Sequence, residues 1–340
     1  LNYTAPFFGK NYSRIYLFLV KYAPLLWGFG YYFLNLDWVD RVSKVVRRIN
    51  NRIYCRGLEE YLLAQQPDLV LTTHFLPNEV ISHLKKRHGF KTFLVTCITD
   101  YYPHAFWRDQ GVDFFVTPSE QLTPRLVRLQ IAAERIKPLG IPIDPVFGQR
   151  KSKEAVRVEL GLAPDRFTVL ITSGGFGVGP VQKLLREIVQ IAKPLQTLVI
   201  CGNNSKLRES LAAAYNDCLD HRVHVYGYVR NMHELMDASD LMVSKSGGLT
   251  VTEAMAKGLP MIVLDPIPGQ ESGNCDFLLK HHAGLQAKNS QAAAGTIARL
   301  AAEPELLRQL RDNIARLGRP QAAREIMSYV QTVFGQGSKT

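Results

Sequence analysis

Three stretches of this chain carry groups suited to holding a phosphate or a polyol. The first, Ser173-Gly174-Gly175-Phe176-Gly177-Val178-Gly179, follows an apolar run and precedes a helical one. Glycines let the backbone turn tightly and bring its amides against a phosphate, and the helix N-terminus beyond them favours an anion. No Gly-Lys-Ser/Thr follows, so this is not a Walker loop, and alone it also reads as a tight strand-to-helix turn. The second, Ser244-Lys245-Ser246-Gly247-Gly248-Leu249-Thr250-Val251-Thr252-Glu253-Ala254, again runs from a strand through glycines into a helix. Ser246 and the amides of Gly247 and Gly248 suit a diphosphate, and Glu253 suits two neighbouring hydroxyls such as a ribose offers. Thr250 and Glu253 also have capping-box spacing, the plain structural alternative. The third, Asp265-Pro266-Ile267-Pro268-Gly269-Gln270-Glu271-Ser272-Gly273-Asn274, reads as a polar loop after an apolar strand, with Gln270, Glu271 and Asn274 placed for sugar hydroxyls.

Two segments in the first half end expected strands with groups that can accept a proton. Leu71-Thr72-Thr73-His74-Phe75 offers His74, and Ile98–Trp107 offers Asp100 and His104. His and Asp can take a proton from an attacking hydroxyl, although a lone loop histidine is the commoner meaning of His74.

Strands and helices must bring these groups together, and the hydrophobic pattern supplies them. The segments 68–72, 92–98 and 113–116 read as short buried parallel strands, with helices expected over 78–87 and 119–130. Pro138, Gly140, Pro142, Pro145 and Gly148 mark a boundary. Beyond it the alternation restarts, with strands over 167–172, 196–201, 223–226, 241–244 and 260–264 and helices between them. Helices over 292–301, 305–315 and 320–333 close the chain. The expected fold class is α/β, two Rossmann-like doubly wound domains whose ligands sit beyond the carboxyl ends of the strands. The domains are expected over 1–140 and 141–318, followed by a helix over 319–340 that packs back on the first.

Composition narrows the class. Lys and Arg number 41 against 30 Asp and Glu, a net charge of +11, and 46% of residues are hydrophobic, which is globular rather than disordered. The five cysteines are scattered without a CxxC pair, so neither a metal site nor a disulfide framework is expected, and a reducing compartment fits. Residues 1–60 hold nine basic and four acidic side chains among many aromatics. That mixture suits an anionic membrane surface and would also suit nucleic acid, while charge alone reads first as a solvated positive face; the partner expected here is the membrane surface, with no nucleic acid. Ile15–Leu36 is long enough to span a bilayer, but Lys21, Pro24, Gly28, Gly30, Asn35 and five Tyr or Trp residues favour a core or a surface leaning on the membrane. Val39–Leu63 has helical periodicity with its basic residues on the polar side.

The string Asp240–Ala256, with Gly258-Leu259-Pro260, Pro268-Gly269-Gln270-Glu271 and Asn274, resembles glycosyltransferase family 28. The likeness is to monogalactosyldiacylglycerol synthases and processive diacylglycerol glucosyltransferases, strongest from Leu139 to Leu285. The resemblance implies a GT-B fold and a UDP-sugar donor used as substrate, with no cofactor and no metal. It places Gly174 and Gly175 in the donor cleft and Tyr228 and Val229 against the uracil. It puts Ser246, Gly247 and Gly248 on the diphosphate, Glu253 on the ribose, and Gln270, Glu271 and Asn274 on the hexose. Family members begin with a strand and a Gly-rich turn ending in His, and nothing before Asp68 matches it, so that motif is expected to be absent here and the family base with it.

The implied reaction moves glucose or galactose, with inversion, from UDP to the hydroxyl of diacylglycerol. Cytoplasmic, peripheral attachment to the inner face of a membrane goes with it. The alternatives are an N-acetylglucosaminyltransferase acting on a lipid-linked or polysaccharide acceptor, a UDP-sugar 2-epimerase, and a non-catalytic UDP-sugar-binding module.

Overall fold

The computed structural model describes residues 18–19, 22–172, 179–193, 195–215 and 222–337. It divides into two compact units. The first ends at Pro142 and also takes in Ile267–Gln270 and the segment from Gln321; the second comprises Ile143–Pro266 and Glu271–Pro320.

Unit 1 opens with three helices, Pro24–Leu34 (α1), Asp37–Tyr54 (α2) and Arg56–Gln65 (α3). The periodic run over 39–63 is therefore two helices, broken at Cys55, whose φ of −108° and ψ of 15° leave the helical region. Four parallel strands follow in spatial order, Leu69–Thr72 (β1), Phe93–Cys97 (β2), Phe114–Val116 (β3) and Ile136–Lys137 (β4). Leu71 pairs with Val95, which in turn pairs with Phe114. Helix α4, Phe75–His88, crosses from β1 to β2. Leu84, Leu94, Ile98, Phe115 and Leu126 have no exposed surface and form the core on one face. Such side chains contribute roughly 1.5–3 kcal/mol each. The opposite face is covered by the C-terminal helix Ala322–Gly337, through Ala322, Ile326 and Val330 against Val95, Cys97, Phe114 and Val116. The helix expected over 119–130 is shorter. A 3-10 turn at Glu120–Leu122 precedes a six-residue helix, Thr123–Arg128 (α5), whose Pro124 is tolerated only in its first turn.

Unit 2 is a six-stranded parallel sheet. Its strands are Thr168–Thr172 (β5), Gln196–Ile200 (β6), Arg222–Tyr226 (β7), Leu241–Ser244 (β8), Met261–Leu264 (β9) and Gly284–Ala287 (β10). Their spatial order is β10-β9-β8-β5-β6-β7, so the direction of winding reverses between β5 and β8. The helices that concern the site are Val181–Ile188 (α6), Met232–Ala238 (α7), Gly248–Lys257 (α8) and Gln270–Lys280 (α9). The polar stretch read as a loop through Asn274 is a loop only to Gly269, after which α9 begins. Gly269, at φ +103°, makes the turn that starts it. Helix α9 carries little segregation of apolar residues to one face, which is why its pattern did not announce a helix. Strands β4 and β10, of two and four residues, were likewise not expected.

The orientation of α2 differs from the usual rule for a surface helix. Asp40, Ser43, Arg47 and Asn51, at helical spacing, face the protein, and Trp38, Val42, Val46, Ile49 and Ile53 form an exposed apolar stripe. Leu25 (84% exposed), Leu26, Phe29 and Phe33 extend the apolar surface onto α1. Among the described residues no helix is long and apolar enough to cross a membrane.

Candidate functional site

In unit 2 the glycine turn after β8 lies at the point where strand order reverses, the place where open α/β sheets bind ligands. Thr172 and Ser244, at the ends of β5 and β8, join by their hydroxyls at 2.7 Å. The turn after β5, with Gly174 and Gly175, lies outside the described residues. After β8 the chain enters α8 with Gly247 as N-cap and no side-chain cap. The first amides of α8 therefore point outward without an intrahelical acceptor. Among the described residues a Cβ on Gly247 would meet only Thr250 Oγ1, at 3.8 Å, so those residues leave an anion room to approach the amides. Thr250 is the third residue of α8 rather than its cap, so the capping-box alternative for Glu253 is not used.

Glu253 lies in the second turn of α8, half-buried. Burial, and then the charge of Asp144, push its carboxyl up to about 7. Asp144 caps the 3-10 turn Pro145–Gly148 by accepting from Val146 N at 2.9 Å, and that turn packs on α8. Tyr228 follows β7 and is 69% exposed, with Val229 half-buried beside it. Ser246 and Asn274 have no exposed surface. Ser246 Oγ donates to the Glu271 carbonyl at 2.6 Å, and Asn274 Nδ2 donates to the Ser246 carbonyl at 2.9 Å. These two side chains tie the glycine turn to the start of α9, where Gln270 and Glu271 sit, and so set the backbone that would meet a ligand.

In unit 1 a cavity of about 830 Å³ opens beyond the carboxyl ends of β1 and β2. Its walls are largely apolar, with Trp27, Leu34, Val46, Phe75, Phe106 and Trp107 prominent. All three proton-accepting candidates, His74, Asp100 and His104, line it. They differ in what their atoms already do. His104 Nε2 lies 3.0 Å from the Tyr31 carbonyl and so must donate, and Nδ1 accepts from Phe106 N at 3.2 Å. Both nitrogens are thus committed to backbone, and burial lowers the ring's pKa to about 4. His74 caps α4, its Nδ1 accepting from Leu76 N at 3.2 Å, which leaves the proton on Nε2. Its surroundings also lower its pKa. Asp100 stands close enough to Tyr31 to raise the phenol's pKa, a smaller effect than burial.

The cavity has a polar frame that no sequence motif marks. Asn35, at the end of α1, accepts from Ala105 N at 2.8 Å and from Arg125 Nη2 at 3.2 Å. Arg125 also donates to the Pro103 carbonyl at 2.8 Å and stacks on Tyr102. Arg47 donates to Glu79, Ser43 and Asp40, and its Cζ lies 3.9 Å from the centre of the Phe106 ring. The signal for its α2 members was the polar spacing 40, 43, 47, 51, masked by the surrounding aromatic and basic residues; nothing local marks Asn35 or Arg125. Among the described residues no three His, Cys, Asp or Glu side chains converge as metal ligands.

Known proteins match both units. A family model described as monogalactosyldiacylglycerol (MGDG) synthase matches residues 1–143, and one described as glycosyl transferases group 1 matches residues 154–317. A processive diacylglycerol beta-glucosyltransferase of Staphylococcus saprophyticus is 32% identical over 84% of this chain and 71% of its own length. A probable chloroplastic monogalactosyldiacylglycerol synthase of rice is 30% identical over 94% of this chain, which spans 64% of the rice protein. The crystal structure of MurG from Acinetobacter baumannii superposes with a TM-score of 0.60 at 15% identity, covering 84% of this chain and 80% of that one. That likeness establishes GT-B as the fold, each unit being a parallel α/β domain.

Proposed function

The chain belongs to the family that holds the monogalactosyldiacylglycerol synthases and the processive diacylglycerol glucosyltransferases, and from that membership we propose that it transfers glucose or galactose from a UDP-sugar to diacylglycerol. The observation that carries the reading is that one chain holds both kinds of site. Unit 2 offers an open helix N-terminus at the switch point of its sheet, and unit 1 offers a large apolar cavity containing Asp100.

In the donor half, the α8 amides would hold the diphosphate, with Glu253 on the ribose, Tyr228 and Val229 at the uracil, and Gln270 and Glu271 on the hexose. Gly174 and Gly175 would complete that cleft. Fixed backbone dipoles stabilise the negative charge that grows on the departing UDP without having to reorganise. The bond between the sugar's C1 and the β-phosphate oxygen breaks as the acceptor oxygen bonds to C1 from the opposite face. UDP leaves with the bonding pair, and the hydroxyl proton passes to a base. No resident metal is needed in this scheme.

Asp100 is the proton acceptor in this reading. His104 has no nitrogen to spare, and His74 keeps its proton on Nε2, where it would donate to the acceptor oxygen and orient it. The exposed apolar stripe of α2 and its continuation on α1 would rest on the cytoplasmic face of an anionic membrane and admit the lipid to the cavity. Asp100→Asn tests the assignment. Its transfer rate should fall by roughly 10²–10⁴ while UDP-sugar affinity stays unchanged. Undiminished transfer would remove Asp100 from the role.

A further inference from the structure

We propose that Arg47 reads the ester carbonyls of the acceptor, making the unit 1 cavity selective for a diacyl over a dialkyl glycerol. This rests on that cavity being the acceptor site. A guanidinium carries five N–H donors in one rigid plane. Among the described residues Arg47 uses three of them, Nε to Glu79 Oε1 at 2.9 Å, Nη1 to Ser43 Oγ at 2.7 Å and Nη2 to Asp40 Oδ1 at 3.0 Å. One N–H remains on each Nη, and the side chain lines the cavity. The Phe106 ring, 3.9 Å from Cζ, fixes the plane.

The wall continues from Phe106 to Phe75 at 5.2 Å and from Phe75 to His74 at 4.2 Å. Arg47 and His74 therefore stand along one aromatic wall, the first on α2 and the second at the strand ends. 1,2-Diacylglycerol has a matching order of groups: a hydroxyl on a terminal carbon and an ester on each of the next two carbons.

The charge balance at Arg47 points to an uncharged group there. Asp40 and Glu79, with side chains 1% and 4% exposed, offset Arg47 and Arg108, the latter 2.5 Å from Asp40 Oδ2. At Arg47 an anionic lipid meets a guanidinium already paired with two carboxylates, but a carbonyl oxygen meets its remaining N–H groups. A dialkyl ether leaves those donors without a carbonyl partner in an apolar pocket, and that desolvation is what the selectivity would read.

The test uses the full chain, with dioleoylglycerol and its ether-linked analogue in identical detergent micelles. Each lipid is measured as an acceptor and as a competitor for a fluorescent diacylglycerol, a readout that needs no transfer. The expected result is about tenfold tighter binding of the diacyl form. Arg47→Lys, which keeps the charge balance but loses the planar fork, should remove that preference and leave UDP affinity unchanged. Equal competition by the two lipids against the wild-type chain overturns the proposal, whatever the variant does. A preference in competition without transfer to either lipid strikes the transferase reading and supports the ester contact.

Discussion

Arg47 Nε donates to Glu79 Oε1 at 2.9 Å, linking α2 to α4 through a pair almost closed off from water. Asn51 Nδ2 adds a bond to the other Glu79 oxygen at 2.7 Å. This relationship turns the polar side of α2 inward and leaves its apolar stripe outside. Removing one partner leaves a buried charge uncompensated, so Glu79→Ala should cost about 3 kcal/mol of stability, read by urea denaturation. A loss under about 0.5 kcal/mol would mean that the pair does not hold α2 in place.

The outward stripe predicts membrane attachment. Replacing Val42 and Ile49 together with Asp should abolish co-sedimentation with anionic vesicles while the thermal midpoint stays near that of the wild type, because both residues are exposed. Unchanged sedimentation would place the membrane contact elsewhere.

Glu253 predicts a pH dependence with a definite sign. Its folded pKa is raised from 4.5 to about 7. The empty protein therefore favours the protonated acid, a stabilisation fully present below 4.5 and lost as pH rises through about 7. A ribose bound by the carboxylate has the opposite demand, so UDP affinity should strengthen as pH rises through the same range. Glu253→Gln should weaken UDP binding and flatten that dependence. A folded Glu253→Gln protein with wild-type affinity would contradict the ribose assignment.

Gln270 and Glu271 should act on the sugar rather than on the nucleotide. Their alanine variants are expected to lose affinity for UDP-hexose and keep affinity for UDP, as calorimetric titration with both ligands would show. Equal loss for the two would contradict the assignment.

Asn274 should behave differently from its neighbours, because its amide donates to the buried Ser246 carbonyl. Asn274→Ala leaves that carbonyl without this partner and is expected to cost roughly 1–3 kcal/mol of stability and to weaken UDP and UDP-hexose alike. Selective loss of the hexose would return Asn274 to the sugar site.

Unit 2 was the more legible in sequence. A glycine turn between a strand and a helix is a local device, so Gly247, Gly248 and Glu253 could be placed from neighbours in the chain. Ser246 and Asn274 were recognised as belonging to that region, but their hydroxyl and amide turn inward to bond backbone 25 and 28 residues away, a contact no local pattern reveals. The α9 helix was hidden because its polar N-terminal residues resemble a loop. In unit 1 the strand ends with His74, Asp100 and His104 were readable. That His104 has its Nε2 committed was not, because its partner, the Tyr31 carbonyl, lies 73 residues away. The periodicity of α2 gave a helix, but the face that turns inward is decided by Glu79 and Arg108, which lie far along the chain.

The most direct test of the central claim supplies UDP-glucose, UDP-galactose and UDP-N-acetylglucosamine separately to the protein on vesicles containing diacylglycerol, and identifies any glycolipid formed. One of the two hexoses should appear in β-linkage on diacylglycerol, with one UDP released per sugar transferred. Transfer of N-acetylglucosamine alone, or UDP-hexose binding without any glycolipid, would contradict the account.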